Sequence, residues 1–361
     1  MYCVPWYFST SKVSLQDPTF ESEPCMDGLD PELGELKERV GIYKIRHGDA
    51  KWKASVASVD KAPFFAGSVP TPVSRAYYKL LEILRTCAIK PPQTALHLCE
   101  APGGFAQAVV TEFPKARVSV TSRRSEGAPH FSPAILHHDS IDVLKLAHGS
   151  DLLRQEVRDE LVELVQGAEL ITADGGIDND DRPELTEHAT AHLILCEIDA
   201  ATRIQRENGT FVLKVFGCSL DVTQQLVALL CCCYREVAIL KPFTSRSVND
   251  ERYIVASGFE RARAPRLAIP DAPAGPFLTR VAVVDDEWRA EARRICHKMV
   301  SDQRRALESA LSCTSSDVRR PPSRGGRGRH GQTPGRAFHP YPHSRGRGRQ
   351  RTHTSGRAST T

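Results

Sequence analysis

The sequence predicts an α/β protein built on a mostly parallel, seven-stranded sheet with helices on both faces. Short Val/Ile/Leu-rich runs recur between residues 95 and 257, segments of helical period separate them, and glycines or acids follow several runs directly. The runs are ALHLC (95–99), RVSVT (117–121), AILH (134–137), AELITA (168–173), FVLKVF (211–216), EVAILK (236–241) and RYIVAS (252–257). Each has the length of a buried strand. The intervening helices are expected over 104–112, 151–166, 190–206 and 219–233, with another over 72–86 ahead of the first strand.

This core, residues 71–260, is flanked by less regular sequence. Residues 1–70 form an N-terminal extension with Pro and Gly breaks, in which YKIRHGDAKWKASV (43–56) reads as a small strand pair. The C-terminal extension, 261–313, holds EWRAEARRICHKMVSDQRRALESALS (287–312), whose apolar and charged positions alternate at helical spacing, as in a terminal helix docked on the body. From 314 to 361 the chain is Arg, Gly, Pro and Ser with almost no aliphatic residue, so it cannot bury enough apolar surface to offset ordering entropy and is expected to be disordered.

Composition narrows the class. With 361 residues, 40% hydrophobic and 25% charged, the chain has an ordinary globular balance. No uninterrupted apolar run approaches eighteen residues, and no basic segment leads an apolar one near Met1, which argues against membrane insertion and export. Several of the 11 cysteines lie inside apolar runs (Cys99, Cys196, Cys231 to Cys233) and none form Cys-x-x-Cys, so they read as buried thiols of a reducing, intracellular compartment, nucleus or cytoplasm, with no metal site. The formal charge of +4 conceals an asymmetry: 11 arginines and no acid follow Asp317, leaving a body near −7 and a tail of +11. Arginine forks spaced by glycine, with Phe338, His339 and Tyr341 as flat faces, suit phosphates and stacked bases, so the tail is expected to bind RNA; protein binding is the alternative.

Chemistry concentrates after the strands. In an open parallel sheet ligands lie beyond the carboxyl ends, and HLCEAPGGF (97–105) puts a glycine turn there, where backbone N–H groups at a helix start become accessible. The turn is neither G-x-G-x-x-G nor a phosphate loop, which argues against hydride transfer and nucleotide hydrolysis. Asp174 follows the fourth run in TADGG (172–176), Lys214 lies within FVLKVF, and Glu251 precedes RYIVAS. A lysine in an apolar strand is expected to have a lowered pKa through burial, which suits it as a general base. Taken singly, each residue also reads as a snorkelling lysine, a helix cap or a surface carboxylate.

SRAYYKLLEI (74–83), LCEAPGGF (98–105), TADGG (172–176), GTFVLKVF (209–216) and KPFTSRSVNDERYIVA (241–256), in that order and spacing, resemble the FtsJ-like (RrmJ-type) RNA ribose 2′-O-methyltransferases over residues 72–258. The resemblance implies a Rossmann-like methyltransferase fold, S-adenosylmethionine as cofactor, and a Lys-Asp-Lys-Glu tetrad at Lys79, Asp174, Lys214 and Glu251. By the same resemblance Lys214 deprotonates the ribose 2′-hydroxyl. The cofactor is implied to lie against Glu100, Pro102, Gly103, Gly104 and Phe105, with Asp139 meeting the adenine amino group and Asp174 serving both cofactor and tetrad. The family commonly has an acid for the cofactor ribose at the end of the second strand, where this chain has Arg123.

LCEAPGGF and SVNDERY are more similar to the mRNA cap branch, and SRAYYKLLEI to the rRNA and tRNA branch; the first is preferred, with the first transcribed nucleotides of capped mRNA as substrate. Trp6, Tyr7, Trp52, Phe64 and Phe65 are available to stack on a cap base, although each reads first as a packing residue. An inert RNA-binding scaffold on the same fold is the competing class, and the four filled tetrad positions argue against it.

Overall fold

In the computed structural model, the described residues are 4–21, 23–59, 71–124, 129–165, 167–177, 185–270 and 277–313. The Arg/Gly-rich tail, Phe64 and Phe65 lie outside them. Five parallel strands form one half of the main sheet: β3 (Thr94–Leu98), β4 (Arg117–Val120), β5 (Ile141–Val143), β6 (Ala168–Ala173) and β7 (Gln205–Phe216). β9 (Glu251–Phe259) inserts antiparallel between β7 and β8 (Tyr234–Leu240), and β1 (Trp6–Phe8) closes the edge against β8. The order is β1-β8-β9-β7-β6-β3-β4-β5, eight strands among the described residues rather than seven, because the N-terminal extension contributes β1.

Helices cover both faces as expected for strands without a polar side. α3 (Ala76–Thr86) and α4 (Gly104–Glu112) pack with Leu80, Ile83, Phe105 and Val109 on one face; α6 (Gln155–Leu164), α7 (Thr186–Ile204) and α8 (Asp221–Cys233) bury Leu161, Leu195, Ile198 and Leu229 on the other. The last helix, α9 (Asp286–Ser312), starts where the Asp285 carboxylate accepts from the Trp288 N–H at 2.7 Å. Among the described residues no helix is long and apolar enough to cross a membrane.

Three elements differ from the sequence reading. AILH (134–137) is not the third strand: Pro133–Leu136 is a short helix, α5, with Ser132 capping the Ala134 N–H and Pro133 at its first position. A four-residue apolar run cannot distinguish strand from buried helix, and the Ser-Pro start signal decides it. The strand that does follow is β5, three residues at the sheet edge. The expected pair over 43–56 is also helical: α1 (Pro31–His47) and α2 (Asp49–Val59), separated by Gly48 at φ +82°. Asp30 caps α1 through the Leu33 N–H at 2.8 Å, and Leu33 and Leu36 lead an apolar stripe that continues to Val40 and Tyr43 at helical spacing. Finally, β10 (Phe277–Val284) pairs with β2 (Val13–Glu21), so the two extensions meet in a second, two-stranded sheet. Residues 1–317 form one compact unit.

Candidate active site

Strand direction brings the chemistry together. Leu98, Ala173 and Phe216 end three adjacent parallel strands, and Glu251 starts the antiparallel β9 directly opposite Phe216. Lys214 faces Tyr253 across the β7–β9 ladder, and since side chains alternate, Glu251 and Tyr253 share one face of β9. Lys79 reaches the same place from α3. One turn on, Glu82 accepts from the Phe243 and Thr244 N–H groups at 2.8 and 3.0 Å and fixes the segment leading to Glu251.

The four residues form two ion pairs. Lys79 Nζ lies 2.7 and 2.8 Å from the Glu251 oxygens, and Lys214 Nζ lies 3.1 Å from Asp174 Oδ1 while donating to the Asp174 carbonyl at 2.6 Å. The Tyr253 hydroxyl sits between the pairs, 3.3 Å from both Asp174 Oδ1 and Glu251 Oε1. Ser245 Oγ donates to Glu251 Oε1 at 2.9 Å. The ammonium of Lys214 also stands over the Phe216 ring, 5.1 Å from its centroid.

The electrostatics correct one expectation. Burial pulls the Lys214 pKa down, but the charges of Asp174 and Glu251 and the hydrogen bond to Asp174 outweigh it, so the pKa is raised and the resting side chain is charged. Burial pushes the Glu251 carboxyl up; Lys79, Lys214 and Ser245 together hold it below its ordinary value. Lys241 moves the other way. Burial and the nearby Arg252 charge lower it to about 7, and its Nζ donates to the Asn249 carbonyl and side chain at 2.7 Å each and to the Glu251 carbonyl at 2.9 Å. It therefore ties down the turn that presents Glu251.

The glycine turn lies beside this cluster. Cys99 adopts φ +54° and Gly103 φ +111°, where a Cβ would collide with Ile135; a Cβ on Gly104 would collide with Ser74. Glu100 points back into the protein and accepts from the Phe105 and Ala106 N–H groups at 2.8 and 2.9 Å, capping α4. Phe105 is fully buried against the Tyr253 ring, centroids 5.9 Å apart. The accessible parts of the turn are thus Cys99, Ala101 and Pro102 with the backbone they carry. Asp139 is not brought to the cleft. The Ser140 carbonyl accepts from Val118, so the exposed Asp139 stands level with the start of β4, roughly 10–15 Å below the carboxyl end. The displacement follows from β5 lying after Asp139. At the end of β4, Arg123 is 3.7 Å from Asp151, which brings a carboxylate to the position where the sequence has a cation.

Two ion pairs bridged by a tyrosine thus adjoin a strand-to-helix turn at the carboxyl end of an open α/β sheet, where ligands of such sheets bind. Comparison narrows the class. Residues 72–259 match the FtsJ-like methyltransferase family, and the chain belongs to it. It is 26% identical over 270 residues to a cap-specific mRNA (nucleoside-2′-O-)-methyltransferase 2 of Drosophila melanogaster, covering 66% of this chain and 37% of that protein. The Danio rerio protein of the same name is 26% identical over 356 residues, 87% of this chain and 47% of the relative. The human cap-specific mRNA (nucleoside-2′-O-)-methyltransferase 1 is 37% identical over 95 residues, 26% of this chain and 11% of that protein. The chain therefore spans less than half the length of these relatives. A crystal structure of a Plasmodium falciparum ribosomal RNA methyltransferase superposes with a TM-score of 0.41 at 17% identity, covering 52% of this chain and 97% of that one.

Tyr253, Ser245, Lys241 and Asp151 were not singled out from sequence. Tyr253 had a signal, since it lies two residues beyond Glu251 in a strand and must share its face.

Proposed function

We propose that the protein is an S-adenosylmethionine-dependent RNA ribose 2′-O-methyltransferase acting on the first transcribed nucleotides of capped mRNA. The observation that carries this is the pair of ion pairs, Lys79–Glu251 and Lys214–Asp174, bridged by Tyr253 beside the glycine turn. The names of the relatives favour the cap branch. S-adenosylmethionine supplies an electrophilic methyl group on a sulfonium. The tight backbone at Cys99 and Gly103 and the Asp174 carboxylate suit a cationic nucleoside, and the main chain from Cys99 to Gly103 would hold it. Lys214, in its neutral form, takes the ribose hydroxyl proton; Lys79 and Glu251 fix its neighbourhood, and Asp174 orients its nitrogen. The reactive form is the minority form at neutral pH, because Lys214 rests charged.

The N-terminal extension takes part in substrate contact on this reading. A cavity of about 550 Å³ lies between α1 and the end of β7, lined by Leu33, Lys37, Ile42, Glu187, Phe216 and Asp250. Phe216 joins it to Lys214. Of the candidate stacking residues, Trp52 is buried against Tyr43 and Trp6 lies under Arg294, so both are packing residues, whereas Tyr7 is exposed.

Incubation with labelled methyl donor and capped, uncapped or ribosomal RNA tests the substrate. Transfer that requires a 7-methylguanosine cap is expected; transfer to ribosomal RNA alone would reject the cap assignment. The tail, residues 318–361, is proposed to add RNA affinity through its +11 charge. Its removal should weaken RNA binding and flatten the salt dependence while leaving donor affinity unchanged, as measured by fluorescence anisotropy from 50 to about 200 mM salt. Equal affinity with and without the tail would end that assignment.

A further inference from the structure

Glu197 lies in the middle of α7, fully buried, on the protein side of the TADGG turn. A Cβ on Gly175 would collide with its Oε1, so this acid is the reason the first glycine of that turn has no side chain. Neither carboxyl oxygen has a hydrogen-bond partner of normal geometry; the groups facing it are the Cys99 thiol and the Gly175 N–H. A fully buried acid that faces a thiol and a backbone N–H at poor hydrogen-bond geometry, on both turns that border the cofactor cleft, is costly to ionise unless a counter-charge is near.

We propose that Glu197 is the proton site that balances the positive charge of the methyl donor, giving up its proton when the sulfonium enters the cleft and regaining one when the neutral thioether is left. The inference rests on the methyl-donor reading above. Burial raises Glu197 to about 8; Cys99 and Lys214 oppose the rise and Asp174 adds to it. At neutral pH the group is therefore mostly protonated, and a nearby cation draws it into the charged form. Glu100, on the same turn as Cys99, is also pushed well above its ordinary value by burial, although the Phe105 and Ala106 N–H groups it accepts from favour its charged form, so it is the alternative proton site that Glu197→Gln distinguishes; the other groups are held more firmly. Cys99 and, on α7 itself, Cys196 are held far up by burial, Asp174 is paired with Lys214, and Lys214 is held charged by two carboxylates. The balance closes: one proton leaves Glu197 with donor binding, one returns after transfer, and the net proton of the reaction is the ribose hydroxyl's. Glu197 thus acts as a positioning residue that distinguishes substrate from product by charge.

Titration calorimetry of the full chain with S-adenosylmethionine and with S-adenosylhomocysteine, each in phosphate and in Tris at pH 7.5, reads the protons exchanged. Release of a large fraction of one proton is expected with the sulfonium and none with the thioether. Between pH 6 and pH 8 the affinity ratio of the two ligands should rise about tenfold in favour of the sulfonium. Glu197→Gln should bind both ligands and lose both effects, whereas Lys214→Met should keep them. Release that survives Glu197→Gln, that vanishes in Lys214→Met, or that is equal for the two ligands overturns the assignment. Should Glu197→Gln not fold, wild type and Lys214→Met decide. A wild-type chain that binds neither ligand refutes the methyl-donor reading itself.

Discussion

Lys214→Met is expected to lower methyl transfer by about 10²- to 10⁴-fold at saturating donor and RNA, the range for loss of a general base, while the protein stays folded. The fold should survive because Asp174, the group left behind, is partly exposed and keeps the Tyr253 hydroxyl at 3.3 Å. The wild-type pH profile supplies an independent check. The Lys214 pKa is raised above 10.5, so the neutral fraction grows about tenfold per pH unit across the neutral range and the rate should climb with pH; in Lys214→Met that slope should vanish. Stability follows the opposite course. A lysine raised by folding contributes stability that is present below its unfolded pKa and is lost as pH rises through the folded value, whereas Glu251, depressed by Lys79, contributes stability present above its unfolded pKa and lost as pH falls through the folded one. Activity should therefore be gained toward high pH until the ion pairs begin to open. Stopped-time transfer assays and thermal melts over one pH series separate the two; a residual rate within tenfold of wild type would remove Lys214 from the role of base.

The parts of this site that were legible in sequence are those where a strand runs directly into residues that cannot continue it. β6 matches its expected bounds, 168–173, and α4 its own, 104–112, because Asp174 and the Gly103–Gly104 turn cannot continue the preceding strands. In the flanks the terminal helix was legible, as α9, but the strands were not. β1, β2 and β10 are strands only because distant segments pair with them, and nothing local in 6–8 or 277–284 records that pairing. Glu197 was hidden because α7 is buried on more than one side. A helix with a charge at every few positions reads as half exposed, yet the β2–β10 ribbon covers one side of α7, with Phe20 against His192 and Phe277 against His188, while Glu197 on another side is buried against Gly175 and Cys99. Asp139 was misplaced because its expected position depended on a strand starting at 134, seven residues before β5 begins at Ile141.

Arg252→Met is expected to cost about 3–5 kcal/mol, the largest stability loss of any change near the site, although Arg252 points away from the cleft on the opposite face of β9 from Glu251. The guanidinium is fully buried. It donates to the Asp250 carbonyl at 2.8 Å and to Gln303 Oε1 of α9 at 3.0 Å; Gln303 in turn donates to Asp250 Oδ1 at 2.8 Å and to the Val248 carbonyl at 3.2 Å. Lys37 of α1 meets the same Asp250 at 2.8 Å. Both extensions are therefore fastened to the residues that flank Glu251. Removing the guanidinium leaves two acceptors, the Asp250 carbonyl and Gln303 Oε1, without their donor and takes a positive charge from beside the Asp250 carboxylate, whereas Gln303→Leu should cost only about 1–3 kcal/mol. Asp250 is pushed up by burial and drawn below its ordinary value by Lys37 and Arg252; without Arg252 its pKa rises, so the stability its charge contributes in wild type is partly lost at neutral pH, and that difference shrinks as acid protonates the group. Urea unfolding at pH 7 and pH 5 measures this. The gap between wild type and Arg252→Met should narrow at pH 5, because protonation of Asp250 removes the charge that Arg252 stabilises, and transfer activity should fall even under folding conditions, because Arg252 no longer braces the strand that Glu251 starts. A loss below about 1 kcal/mol would mean that the extensions are carried by the core rather than clamped to its site.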